Sequence, residues 1–151
     1  KLFILEKASF ENIRGRKQIL GICLCAQCLN VVMVVTLKQH IENDIDHSDG
    51  KKREITILEN TRVSNILGGC KMKVACYHHQ SVKRVGVGLK ITGYDESSIP
   101  HIIESVDENE WIVGVQFHPE RFIENESNSH IFKGFIEEVL RNMEKTSVNY
   151  M

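Results

Sequence analysis

Shortages narrow this chain first. No apolar stretch approaches the roughly 20 residues that cross a bilayer, and no signal-peptide pattern opens the sequence. Neither charge sign dominates: the formal net charge is −1, which leaves no electrostatic footprint for nucleic acid or an acidic membrane surface. The one short basic cluster, Lys51-Lys52-Arg53, reads as a solvated loop. The five cysteines are odd in number and unevenly spaced, which suits reduced thiols better than a secreted disulfide framework. No repeat, low-complexity tract or linker is present. The expectation is a soluble, cytoplasmic chain with no nucleic-acid or membrane partner.

Two further shortages lie at the start. The sequence opens at Lys1 rather than methionine, and no glycine precedes Gly15. An amphipathic stretch begins at once, so the chain reads as a single domain over residues 1–151 that is N-terminally incomplete.

What is present alternates between helical and extended patterns. Residues 2–13 carry Leu2, Ile4, Leu5, Phe10 and Ile13 at helical spacing. Gln18-Ile19-Leu20-Gly21-Ile22 predicts a short buried strand, and a helix follows from Leu24. The β-branched run around Met33 fits a helix poorly, so a strand is the alternative there. Residues 43–52 read as a surface loop, and Arg53-Glu54-Ile55-Thr56-Ile57-Leu58 alternates like a strand. Val63 to Leu67 predicts a short helix stopped by Gly68-Gly69, and a strand follows over Lys71-Met72-Lys73-Val74-Ala75-Cys76. Leu89-Lys90-Ile91-Thr92, His101-Ile102-Ile103-Glu104 and Ile112-Val113-Gly114-Val115-Gln116-Phe117 are further strands, the last the clearest. Ile131, Phe132, Phe135, Ile136, Val139 and Leu140 recur at three and four residues, predicting a terminal helix. Helices interleaved with strands imply an α/β layer fold.

Two stretches carry candidate chemistry. Gly21-Ile22-Cys23 closes a strand and turns into a helix, which would hold a thiol above the sheet beside helix N–H groups that lower its pKa. Phe117-His118-Pro119-Glu120 closes another strand. In extended chain, side chains two apart face the same way, so His118 and Glu120 can act as a base and the carboxylate that orients it. Tyr77-His78-His79-Gln80 gathers polar groups at a strand end, where the two histidines read equally as loop polar groups or metal ligands. Cys23, Cys25 and Cys28 are closely spaced, but zinc commonly takes four ligands in paired sets, and no second pair lies at a suitable interval. No metal is expected.

Taken in order, Gly21-Ile22-Cys23, Gln27, Leu29-Asn30-Val31, Thr36-Leu37, Gln39, Tyr77-His78-His79-Gln80, Val82-Lys83 and Gly114-Val115-Gln116-Phe117-His118-Pro119-Glu120 resemble class I glutamine amidotransferase-like proteins, nearest to the γ-glutamyl-γ-aminobutyrate hydrolase, or peptidase C26, branch. The likeness runs from about Gln18 to Leu140. It implies a three-layer, flavodoxin-like fold whose N-terminal strands are missing here. It also implies a catalytic triad of Cys23, His118 and Glu120, with the Leu24 backbone N–H facing the oxyanion and Gln27, His79 and Gln80 beside the substrate. The implied reaction is cysteine-dependent hydrolysis of a small γ-glutamyl amide through a thioester, with no cofactor.

The chain departs from the family at several positions. Leu24 and Cys25 stand where Arg then Gly are usual, Val34-Val35 where a glycine pair is usual, and Ala75 and Cys76 where Asn and Ser are usual. The last two predict weaker substrate binding. No glycine-rich loop supplies a second oxyanion donor, and a sheet lacking strands would leave an unpaired edge through which the chain could associate. The alternative is therefore a non-catalytic, degenerate relative acting as a scaffold or binding protein, or a decayed fragment.

Overall fold

A computed structural model describes residues 18–32, 37–38, 50–78 and 80–148. The expected helix over residues 2–13, the run over residues 33–36, Gln39, residues 43–49 of the expected surface loop and His79 lie outside them. In chain order the elements are β1 (Ile19–Ile22), α1 (Leu24–Val32), β2 (Leu37–Lys38), β3 (Lys52–Ile57), α2 (Arg62–Leu67), β4 (Lys71–Ala75), β5 (Ser81–Val82), β6 (Leu89–Asp95), β7 (Pro100–Ser105), β8 (Ile112–Val115) and α3 (Glu126–Val148).

Six strands form one mixed sheet in the order β1-β8-β7-β6-β3-β4, and β2 pairs separately with β5. Among the described residues β1 and β8 alone run parallel, with Ile22 opposite Val115; the other pairings are antiparallel. The two-residue period of a pleated strand sends the apolar side chains of β7 and β8 into two cores, one on each face, while β3 and β4 turn their alternate side chains to solvent. On one face Ile55, Ile57, Val74, Val113 and Val115 pack with Val63 of α2 and Ile131 of α3. On the other, Ile103 and Ile112 pack with Leu29 of α1. Helices thus cover both faces, giving the α/β layering expected from the sequence.

Local chemistry fixes the ends of α2. Thr61 and Ser64 make a reciprocal capping box, and Gly68, at φ +64°, ends the helix in the left-handed region, as the glycine pair predicts. A more distant group completes the N-terminus. The fully buried Glu104 of β7 accepts from the backbone N–H of Arg62 at 2.9 Å and Val63 at 3.1 Å, and from the Thr92 hydroxyl at 3.0 Å. A carboxylate is stabilised there because helix N-termini present unbonded N–H groups and a partial positive charge.

Several boundaries differ from the sequence reading: Lys52, read as loop, begins β3, Leu58 and Cys76 fall outside β3 and β4, and β6 and β7 extend to Asp95 and over Pro100–Ser105. Val31 and Val32 belong to α1 despite their branched side chains, whose helix propensity is only a weak local preference. Strand β8 stops at Val115, so Gln116 and Phe117 are not part of it, and residues Pro119–Phe122 form a 3₁₀ turn. Proline lacks the N–H that a ladder needs, while its fixed φ suits the first position of such a turn.

Candidate active site

The parallel pairing of β1 with β8 brings two distant segments to the same sheet edge. The register ends at Ile22 opposite Val115, and the next residue, Cys23, still donates its N–H to the Val115 carbonyl at 2.8 Å. Cys23 therefore leaves β1 where the chain leaves β8 toward His118. Its φ of +50° places a non-glycine residue in the left-handed region, the strained turn expected between a strand and a helix. The α1 helix starts at the next residue, and the Cys23 carbonyl accepts from Gln27 N–H at 3.2 Å.

The sharp turn depends on Gly21. A Cβ there would lie 2.6 Å from Leu29 Cδ1, 3.1 Å from the Ala26 backbone nitrogen and 3.2 Å from the Cys25 carbonyl carbon. The first turn of α1 thus rests directly on the strand backbone. Leu24 and Cys25, where family members usually carry Arg and Gly, are both exposed, so the cysteine side chain costs no packing at this turn.

His118 and Glu120 meet as expected, with imidazole Nδ1 2.6 Å from Glu120 Oε1. The route differs from the sequence reading. His118 has φ −106° and ψ 87°, and Glu120 lies inside the 3₁₀ turn, so the turn rather than an extended chain folds the carboxylate back onto the ring. With Nδ1–H donating to the carboxylate, Nε2 carries the lone pair and can accept a proton.

Surrounding groups set the electrostatics of the Cys23 thiol. Partial burial pushes its pKa up, and the Leu24 backbone N–H, bonded to the sulfur, opposes that. The Glu120 and Cys25 charges also raise it, whereas the Arg121 guanidinium lowers it. The net direction is upward, contrary to the expectation that the helix terminus would make the thiol more acidic. Burial outweighs the helix N–H here, so a thiolate at this site has to form by passing its proton to a base.

Gln116 was missed as a site residue. Its Nε2 lies 3.8 Å from Cys23 Sγ, and its Oε1 accepts from Gln27 Nε2 at 3.0 Å. Its signal was present, since Gln116 precedes His118 by two residues within the same motif. Gln27 is buried, and its amide also points to the Gln80 carbonyl at 3.4 Å, so it ties α1 to the end of β8 and to the loop after β4. The Gln80 carbonyl in turn accepts from His78 Nδ1 at 2.9 Å. Tyr77 forms a wall beside the site: its ring meets the His118 ring edge-on at 6.1 Å, and the Arg121 guanidinium lies 4.5 Å above it. Cys23, Leu24, Gln27, Gln80, His118 and Glu120 therefore belong to one neighbourhood.

Comparison with known proteins follows the same segments. The family model described as Peptidase C26 matches residues 6–120. A Schizosaccharomyces pombe protein with the provisional name of glutamine amidotransferase is 32% identical over 145 residues, taking in 90% of this chain and 56% of the relative. A Mycobacterium tuberculosis protein with the same provisional name is 29% identical over 139 residues, 85% of this chain and 44% of the relative. The chain spans about half the length of these curated relatives. Among solved structures, a provisionally named GMP synthase component from Thermoplasma acidophilum matches with a TM-score of 0.71 at 18% identity, over 86% of this chain and 61% of that one. A glutamine amidotransferase from Thermotoga maritima matches with a TM-score of 0.60 at 17% identity, over 97% and 55%. The structural likenesses establish a shared fold. Among the described residues, no helix is long and apolar enough to cross a membrane.

Proposed function

Because this chain belongs to the Peptidase C26 family and has the α/β fold of class I glutamine amidotransferase-like proteins, we propose that it supplies the thiol chemistry for hydrolysing a γ-glutamyl amide. One observation carries the proposal above the others. The 2.6 Å His118–Glu120 pair follows the strand whose parallel neighbour delivers Cys23 in a left-handed turn.

In this reading His118 Nε2 takes the Cys23 proton, and the sulfur attacks the amide carbonyl carbon to form a C–S bond. The Leu24 N–H faces the developing oxyanion. The imidazolium then returns its proton to the departing amine as the C–N bond breaks. Water, activated by the same histidine, cleaves the thioester to release a γ-carboxylate and restore the thiol. Glu120 holds the ring in the required tautomer throughout, and His79 and Gln80 are the residues assigned by resemblance to the glutamyl side. No step calls for a cofactor.

The test is glutamate release from glutamine and from γ-glutamyl-γ-aminobutyrate by the full-length protein, beside a Cys23→Ala control. Turnover by the native protein that Cys23→Ala lacks supports the proposal. A folded protein that neither turns over these amides nor reacts at Cys23 with an electrophilic glutamine analogue overturns it, and the scaffold reading then stands. The raised thiol pKa gives that second reading its one specific support.

A further inference from the structure

Under the site lies a second cluster of chemistry-bearing side chains that the proposed reaction does not use. Cys76 follows β4, His78 comes two residues later, and His101 is the second residue of β7. All three are buried, and one possible ligand atom from each lies within 4.8 Å of the other two. Thiol and imidazole together form a donor set suited to borderline and soft transition ions rather than to calcium or magnesium.

The His78 ring is held as metal-binding histidines usually are, by an oxygen acceptor on the far nitrogen. A carbonyl can only accept, so the 2.9 Å contact to Gln80 fixes the proton of His78 on Nδ1 and puts the lone pair on Nε2. His101 Nε2 faces Asp95 Oδ2 at 3.6 Å, and both side chains are fully buried. That distance is an ion-pair contact, longer than a hydrogen bond, and a metal held by Nδ1 would leave Nε2 facing this carboxylate. Asp95 is itself fixed, its Oδ1 accepting from the backbone N–H of Ser97 at 2.9 Å and Ile99 at 2.8 Å. Cys76 is anchored through its backbone: its N–H donates to the Lys51 carbonyl at 3.2 Å, and its carbonyl accepts from Gly50 N–H at 2.9 Å.

Charge agrees with the donor set. A divalent ion, one thiolate and the Asp95 carboxylate sum to zero, which is what a buried site needs, because an uncompensated charge in the interior is costly. The ordinary alternative is a core histidine pair satisfied within the protein. It explains burial, but it does not require a thiol and two imidazoles to converge.

We propose that Cys76, His78 and His101 bind a zinc-class divalent ion, with Asp95 as the carboxylate that orients His101. Such an ion ties the end of β4 and the Gln80 loop to β7. It also reaches the His118 turn, because the His101 carbonyl accepts from Gln116 N–H at 2.8 Å and its ring stacks on Phe117 at 6.4 Å. The inference stands whether or not Cys23 is a nucleophile.

The experiment uses the full-length protein, stripped with a chelator, shown still folded by circular dichroism, and titrated with Zn²⁺ and with Co²⁺. Expected are about one equivalent of zinc per chain, as three or four convergent ligands imply, and a thiolate-to-cobalt charge-transfer band in the near ultraviolet. The band persists in the Cys23→Ser, Cys25→Ser double variant and is lost in Cys76→Ser. Asp95→Asn, which keeps the Oδ1 acceptor, weakens zinc binding about 10- to 100-fold. A folded, stripped wild-type protein with no charge-transfer band overturns the proposal without reference to any variant. So does a band that survives Cys76→Ser, or one that disappears with Cys23 and Cys25.

Discussion

Replacing Gly21 with alanine puts a methyl group against the first turn of α1. Leu29 Cδ1, at 2.6 Å, is the far end of a flexible side chain and can rotate away at about 0.5–1.5 kcal/mol. The Ala26 nitrogen and Cys25 carbonyl carbon, at 3.1 and 3.2 Å, are backbone and give only if the helix moves by tenths of an ångström. Overpacking of this kind costs about 1–3 kcal/mol, against which the lower entropy of an unfolded alanine chain returns about 0.4–1 kcal/mol. A net loss of about 1–2 kcal/mol is expected, a fall of roughly 0.5–1 M in urea midpoint for a protein of this size. Trp111, half-buried with its ring 5.5 Å from that of Phe135, reports the transition. Gly69→Ala is the control, since nothing lies within 4 Å of its Cβ position, and its midpoint should stay within about 0.5 kcal/mol of native. Adding Leu29→Val to Gly21→Ala relieves the side-chain clash alone and leaves the backbone part of the loss. A Gly21→Ala protein as stable as Gly69→Ala would refute the claim that α1 rests on the strand backbone at this turn.

Other expectations follow from the same geometry. Cys23→Gly should be more stable than Cys23→Ala by about 1 kcal/mol in urea unfolding, because glycine relieves the left-handed strain at φ +50°; the reverse order would remove strain as a feature of the turn. Iodoacetamide alkylation of Cys23 should climb with pH beyond the ordinary thiol range, since burial raises its pKa and leaves it protonated at neutrality. Glu120→Gln should speed that alkylation at fixed pH, and Arg121→Gln should slow it, each by roughly twofold to fivefold, as expected for partly exposed charges; equal rates in all three proteins would contradict the charge assignment. Glu104→Ala should cost about 2–4 kcal/mol by leaving two helix N–H groups and the Thr92 hydroxyl without their acceptor, and Glu104→Gln should cost less because it keeps an oxygen. Matching urea midpoints for Glu104→Ala and the native protein would show that α2 does not depend on this cap.

Much of the fold was legible because local signals and burial agreed. Val113 and Val115 alternate in a short apolar run, Gly68 has the one backbone conformation that ends α2, and Ile131 and Phe135 repeat at helical spacing. A weak local preference did not decide the end of α1, which takes in Val31 and Val32. The two-residue strands β2 and β5 were not legible, since so short a pairing carries no periodicity.

For the candidate site, the sequence alone determined which residue types are present and in what order: a thiol after Gly21-Ile22, a histidine and carboxylate around Pro119, and histidines after β4. Only the tertiary structure decided which of them meet. The parallel register of β1 and β8 brings Cys23 to Gln116 across 93 positions of sequence, and the 3₁₀ turn, not an extended chain, folds Glu120 onto His118. Burial likewise reversed the direction expected for the Cys23 pKa. Convergence of His101 with Cys76 and His78 had no sequence signature, because β7 reaches them through long-range strand order. Periodicity and turn chemistry act over a few residues, whereas the distance between two side chains at one sheet edge is set by every strand pairing between them.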